Sequence, residues 1–231
     1  MADIFFQLSQ KGGCMGIPSD FSNTGLTGFK VSSTKLVKIE QQYKGVRGKK
    51  FISPGGGKFV RIDDPGAIDS NGLRTADVSN TSISLETDTW LPRLYADGTL
   101  TCGGKCAWLE CTNVTIPKNK RLWFRYAFLR FSSLPADSFS VLLCFPNNDT
   151  SAPPLPPYWI CSVKELQENR GNINQTDWTE CFVEIDKNAD FHGTLRWVVA
   201  TGHNLADQNS VPDNTRFTRP GCLLIDAIDI R

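Results

Sequence analysis

The chain has 231 residues, and 25 Lys and Arg nearly cancel 24 Asp and Glu to leave a net charge of +1. That balance excludes binding of nucleic acid through an extended basic surface. No apolar run approaches the roughly 20 residues that a membrane-spanning helix needs, so no membrane insertion is expected.

The opening Met-Ala-Asp-Ile-Phe-Phe-Gln-Leu lacks a basic leader, and Gln7 breaks its apolar stretch. The expectation is a chain with no export address of its own. Lys44, Arg47, Lys49 and Lys50 are interleaved with Gly45 and Gly48, which reads as a solvated hairpin tip. Gly55 to Gly57 form a loop, Lys58 to Ile62 a strand, and Asp63-Asp64-Pro65-Gly66 its end. Trp90 and Tyr95 sit in a stretch of loop character.

Cys102, Cys106 and Cys111 are the sharpest local cluster. Three readings stand: a disulfide, free thiols, or a metal site with Cys14 as a fourth ligand. Cys144, Cys161, Cys181 and Cys222 lie in apolar runs, where a thiol packs as a small hydrophobe.

Leu122 to Phe131 alternates with apolar residues on both faces, the pattern of an interior strand: Leu122, Phe124, Tyr126 and Phe128 on one, Trp123, Arg125, Ala127 and Leu129 on the other. In Ser138 to Phe145, the set Phe139, Val141, Leu143 and Phe145 alternates with Ser138, Ser140, Leu142 and Cys144. Asn147 to Pro157 must leave the sheet, because proline cannot donate to a ladder. Tyr158 and Trp159 close that excursion, and Val163 to Arg170 is the one short helical stretch. In Thr194 to Ala200, Leu195, Trp197 and Val199 form the inward set. The last strand, Cys222 to Ile230, places Leu224, Asp226, Ile228 and Ile230 on one face. A carboxylate among aliphatics must be paired, hydrogen-bonded or bound to a cation.

Dense Gly, Pro, Asn and Asp punctuation between short alternating runs predicts an all-β sandwich or barrel, with one domain over residues 1–231. Catalysis finds little support: His192 and His203 lie in no HExxH, and no GxSxG elbow occurs. The sequons at Asn80, Asn113, Asn148 and Asn174 point weakly to a glycosylated exterior.

The order of Leu122 to Leu129, Asp137 to Leu143, Thr176 to Trp178, Gly193 to Trp197 and Leu223 to Ile228 resembles bacterial extracellular jelly-roll modules related to carbohydrate-binding modules. Asp20 to Phe29 is similar to the opening of such modules, and Gly57 to Ile62 to their next strand. The resemblance implies a jelly-roll β-sandwich of two antiparallel sheets. It also implies a possible structural calcium held by Asp226, with Asp20 substituting for the acidic residue that Ser22 replaces.

Trp90, Tyr95, Tyr158 and Trp159 are the candidate ligand-binding residues, because exposed rings beside Asp and Asn suit sugars. The same rings also suit the ends of a sandwich as plugs. The expected function is non-catalytic recognition of a glycan or cell surface, outside the cell. The alternative is a structural subunit of a phage or viral particle that assembles with copies of itself and other particle proteins. Fold alone does not choose between them.

Overall fold

The computed structural model describes residues 17, 21–64, 92–94, 100–102, 106–130, 139–162, 165–166, 170–171, 173–200 and 221–231. Its strands are β1 (Lys30–Val31), β2 (Val37–Glu40), β3 (Gln42–Lys44), β4 (Lys50–Ile52), β5 (Phe59–Asp63), β6 (Pro92–Leu94) and β7 (Leu100–Cys102). They continue with β8 (Cys106–Ile116), β9 (Leu122–Leu129), β10 (Phe139–Pro146), β11 (Tyr158–Ser162), β12 (Thr179–Val183), β13 (Phe191–Ala200) and β14 (Cys222–Ile230). A single helical turn, α1 (Phe21–Thr24), precedes them. Of the stretch expected to be helical, Glu165 and Leu166 are helical, and residues 163–164 and 167–169 lie outside the described ones.

Two five-stranded antiparallel sheets make a jelly-roll β-sandwich. Sheet I has the order β1-β8-β13-β10-β11, and sheet II the order β12-β9-β14-β5-β2. Strand alternation sends one residue set of each strand into the space between the sheets. From β9 these are Leu122, Phe124, Tyr126 and Phe128, and from β13 Leu195, Trp197 and Val199, the β13 set being the one that the pattern predicts. Trp197 meets Phe124 edge-on, with ring centroids 6.0 Å apart.

Gly193 shows how tightly the strands pack. A Cβ there would lie 2.1 Å from the Phe145 carbonyl oxygen of the neighbouring strand.

Two readings are corrected by the tertiary structure. In β14 the pairing with β9 shifts between Asp226 and Asp229, and Ala227 takes φ 51°. This bulge turns the strand over, because an extra residue reverses which face the following side chains take. Leu223, Ile225 and Ile228 therefore point into the core, while Cys222 and Leu224 pack on the outer side. Asp226 thus does not share a face with Ile228 and Ile230. Second, Trp123 and Trp178, which strand position suggests as core, lie on the outer side of sheet II. Trp178 packs edge-on against Phe51 and Phe59 and donates its indole N–H to the Ile52 carbonyl at 2.8 Å. On the outer face of sheet I, Phe139, Val141, Leu143 and Phe145 form a second buried apolar cluster together with Cys106, Trp108, Val198 and Ala200.

The basic segment forms the β3–β4 hairpin, with Lys44, Arg47, Lys49 and Lys50 exposed. It is docked on sheet II through Trp178 and an ion pair between Lys49 and Asp177. Among the described residues, no helix is long and apolar enough to cross a membrane.

Candidate functional site

The outer face of sheet I carries a set of aromatic and charged side chains. Its centre is an ion pair across β8 and β13. Glu110 and Arg196 are register partners, and Arg196 donates from Nε at 2.8 Å and from Nη2 at 2.6 Å to Glu110 Oε2. The side chains are 4% and 7% exposed. Lys30, opposite Glu110 on β1, places Nζ 3.8 Å from the second carboxylate oxygen. The guanidinium also sits over the rings of Trp108 and Phe145, at 4.7 and 4.9 Å. Such an arrangement compensates a desolvated cation with both a carboxylate and ring quadrupoles.

Trp159 extends this face on the edge strand β11. It is 46% exposed and its ring lies 5.2 Å from that of Phe139, which backs it. A shift in the β10–β11 pairing after Ser140 puts Trp159 opposite Val141. Tyr158, its neighbour, points to the other side, as alternation requires. That ring packs on the core, and its hydroxyl lies 3.2 Å from the carbonyl oxygens of Glu184 and Ile185. Burial pushes the Tyr158 pKa up. Tyr158 is thus a tie between the two sheets, on the opposite face of β11 from Trp159. Trp90 and Tyr95 lie outside the described residues.

Asp226 is held by protein donors. Ser53 donates its hydroxyl to Oδ2 at 2.7 Å, and the Ala227 N–H donates to Oδ1 at 2.8 Å. The Ser53 oxygen in turn accepts the N–H groups of Gly55 and Gly57, at 3.1 and 3.2 Å. Ser22 accepts the Lys58 N–H at 2.9 Å. Both carboxylate oxygens of Asp226 therefore face hydrogen-bond donors, and no three His, Cys, Asp or Glu among the described residues gather as metal ligands. Asp20 lies outside the described residues.

The cysteine cluster is split by the strand that carries it. Cys106 joins the outer cluster of sheet I, while Cys111 joins the core between the sheets. Their sulfurs therefore lie on opposite faces of β8, and a metal site using both is corrected. Cys102 pairs with Pro92 in the β6–β7 hairpin, and Cys14 lies outside the described residues. Burial, with a smaller contribution from Glu110, pushes the Cys111 thiol up to about 11. Cys144, Cys161, Cys181 and Cys222 carry free thiols, as expected for apolar strands. Burial pushes Cys161 up to about 12 and raises Cys144, Cys181 and Cys222 as well. Protonated, enclosed thiols are poor nucleophiles.

His192 Nδ1 lies 3.0 Å from the Thr115 hydroxyl on an exposed part of the strand pair. The sequon residues Asn113 and Asn148 bond to each other, with the Asn148 amide donating to Asn113 Oδ1 at 2.9 Å. His203 lies outside the described residues.

The reading by pattern missed Glu110 and Arg196. Their signal was available: single charges inside Trp-Leu-Glu-Cys and Leu-Arg-Trp, the same anomaly that marked Asp226.

No family model and no curated protein matches the chain. Several solved structures are similar. A carbohydrate-binding module of type CBM28, specific for non-crystalline cellulose, aligns at TM-score 0.46 and 11% identity, over 93% of this chain and 94% of that one. The CBM27-1 module of Caldicellulosiruptor saccharolyticus, in complex with mannohexaose, aligns at 0.43 and 11%, over 94% and 96%. The K1 cleaved adhesin domain of Lys-gingipain from Porphyromonas gingivalis W83 aligns at 0.41 and 11%, over 94% of each chain.

Proposed function

We propose that the protein is a non-catalytic recognition module that binds a glycan at the edge strand β11, against the exposed ring of Trp159. The observation that carries this reading is Trp159: a large ring left 46% exposed on an edge strand, yet held in place from behind by Phe139. A pre-positioned ring of this kind offers a flat apolar surface to the C–H face of a sugar at little entropic cost.

In this reading Asp226 is a fold-holding carboxylate served by Ser53, and binding needs no calcium. The test is a glycan array with the full chain, run with calcium and with chelator. It includes cello- and manno-oligosaccharides, the sugars named for the similar modules. Binding to a related set of sugars, lost in Trp159→Ala and insensitive to chelator, is expected. Chelator-sensitive binding restores a calcium role. A blank array from folded protein overturns the glycan reading in favour of assembly within a particle.

A further inference from the structure

A second site lies away from Trp159, at the end of the sandwich where the β8–β9 turn, the segment after β12 and Arg231 meet. A cavity of about 460 Å³ opens there, lined by Lys118, Lys120, Arg121, Lys187 and Arg231, with Glu184 as the one carboxylate of the lining. That volume falls within the roughly 300–1,000 Å³ of small-molecule pockets. The nearby carboxylates of Asp186, Asp190 and Asp229 do not line it, and each accepts backbone N–H groups.

The two arginines are rigidly mounted. Arg121 and Arg231 exchange both backbone hydrogen bonds, at 2.8 and 3.0 Å. Their guanidinium groups cap a pair of stacked rings: Arg121 lies over Phe182 at 4.8 Å, Phe182 against Trp123 at 5.1 Å, and Arg231 over Trp123 at 4.2 Å. Arg231 spends part of its fork on Glu180, at 2.5 Å. Arg121 lies 3.7 Å from Glu184, an ion pair too long for a hydrogen bond, so its donors remain available. The Trp123 indole N–H is buried, with no hydrogen-bond partner among the described residues.

We infer that this cavity binds the acidic groups of an anionic saccharide, a carboxylate or sulfate ester, at a site separate from Trp159. The inference rests on the proposed glycan recognition in taking the ligand to be a saccharide. The chemistry argues for an anion because mounted guanidinium groups match planar or tetrahedral oxyanions in geometry. Arg231 lies over Trp123, Phe182 packs at a tilt against the Trp123 ring, and Arg121 lies over Phe182, so the two guanidinium groups flank the rings at the cavity.

The test is calorimetric titration of the full chain with hexagalacturonate, a heparin-derived hexasaccharide, cellohexaose and a short oligothymidylate. At about 20 mM salt one or both acidic saccharides bind, and the affinity falls steeply by about 200 mM as screening grows. Which of the two binds separates carboxylate from sulfate recognition. R121Q/K187Q weakens this binding about tenfold or more, since it removes charge-assisted hydrogen bonds. The exposed-turn variant K118Q/K120Q provides the same test should the first variant misfold. Trp159→Ala leaves acidic binding unchanged. No binding of either acidic saccharide, binding unmoved in both charge variants, or tighter binding of oligothymidylate overturns the inference. Cellohexaose binding through Trp159 without acidic binding overturns it alone. Acidic binding without any Trp159-dependent binding overturns the Trp159 site instead.

Discussion

The buried pair on sheet I permits a quantitative prediction through Glu110→Ala. Glu110 is the carboxylate hydrogen-bonded to Arg196, and both side chains are nearly inaccessible. Removing it leaves a guanidinium desolvated, with ring faces but without this counter-charge. Breaking a buried pair from one side costs about 3–5 kcal/mol. The lost contact to Lys30 adds little, because that lysine is 68% exposed and its interaction is screened. Against a typical stability of about 5–15 kcal/mol the loss is large. In a domain of this size it corresponds to a fall in Tm of about 6–20 °C. Urea titration followed by tryptophan fluorescence reads the change, with Trp108 beside the pair as a local reporter. The double variant Glu110→Leu, Arg196→Met removes both charges and is expected to recover most of the loss, since apolar isosteres often match a buried pair. A single variant that loses less than about 1 kcal/mol, or a double variant as unstable as the single, refutes the reasoning that loss of the Glu110 carboxylate from a buried guanidinium is the cost.

Other predictions follow from particular contacts. Gly193→Ala drives a methyl into the Phe145 carbonyl, which belongs to a paired strand and cannot yield cheaply; a loss of about 1–3 kcal/mol or more is expected in thermal melts. Ser53→Ala removes the donor to Asp226 and the acceptor of two glycine amides, at a cost of about 1–3 kcal/mol in urea. Cys161, pushed up to about 12, reacts with iodoacetamide at pH 8 only after denaturant is added; prompt labelling of the native protein shows that the thiol is not enclosed. Unfolded thiols titrate near pH 8.5 or so. With Cys111 and Cys161 raised to about 11 and about 12, the folded state holds its protons longer. Their contribution to stability is therefore complete below about pH 8.5 and is lost as pH rises toward those values, measurable as a falling Tm.

Much of the fold was legible in the sequence because a strand writes its burial as alternation. Leu195 to Val199 announces its inward residues, since every second side chain must reach the same core. The proline-rich excursion before Tyr158 and the basic hairpin were equally legible from backbone chemistry. The candidate site was only half legible. Trp159 could be named, but its separation from Tyr158 follows from strand geometry once both are seen to lie within β11.

By itself, then, the sequence determined the class of fold, the alternating core and the anomalous charges that a core must compensate, because these depend on local periodicity and on the cost of burying charge. The tertiary structure decided the rest. The bulge at Ala227 turned Asp226 away from Ile228 toward Ser53, and β8 put Cys106 and Cys111 on opposite faces. Cross-strand register set Glu110 against Arg196 and stacked Trp123 with Phe182. Each of these joins residues far apart in the chain, and such a meeting is fixed by which strands pair and in which register.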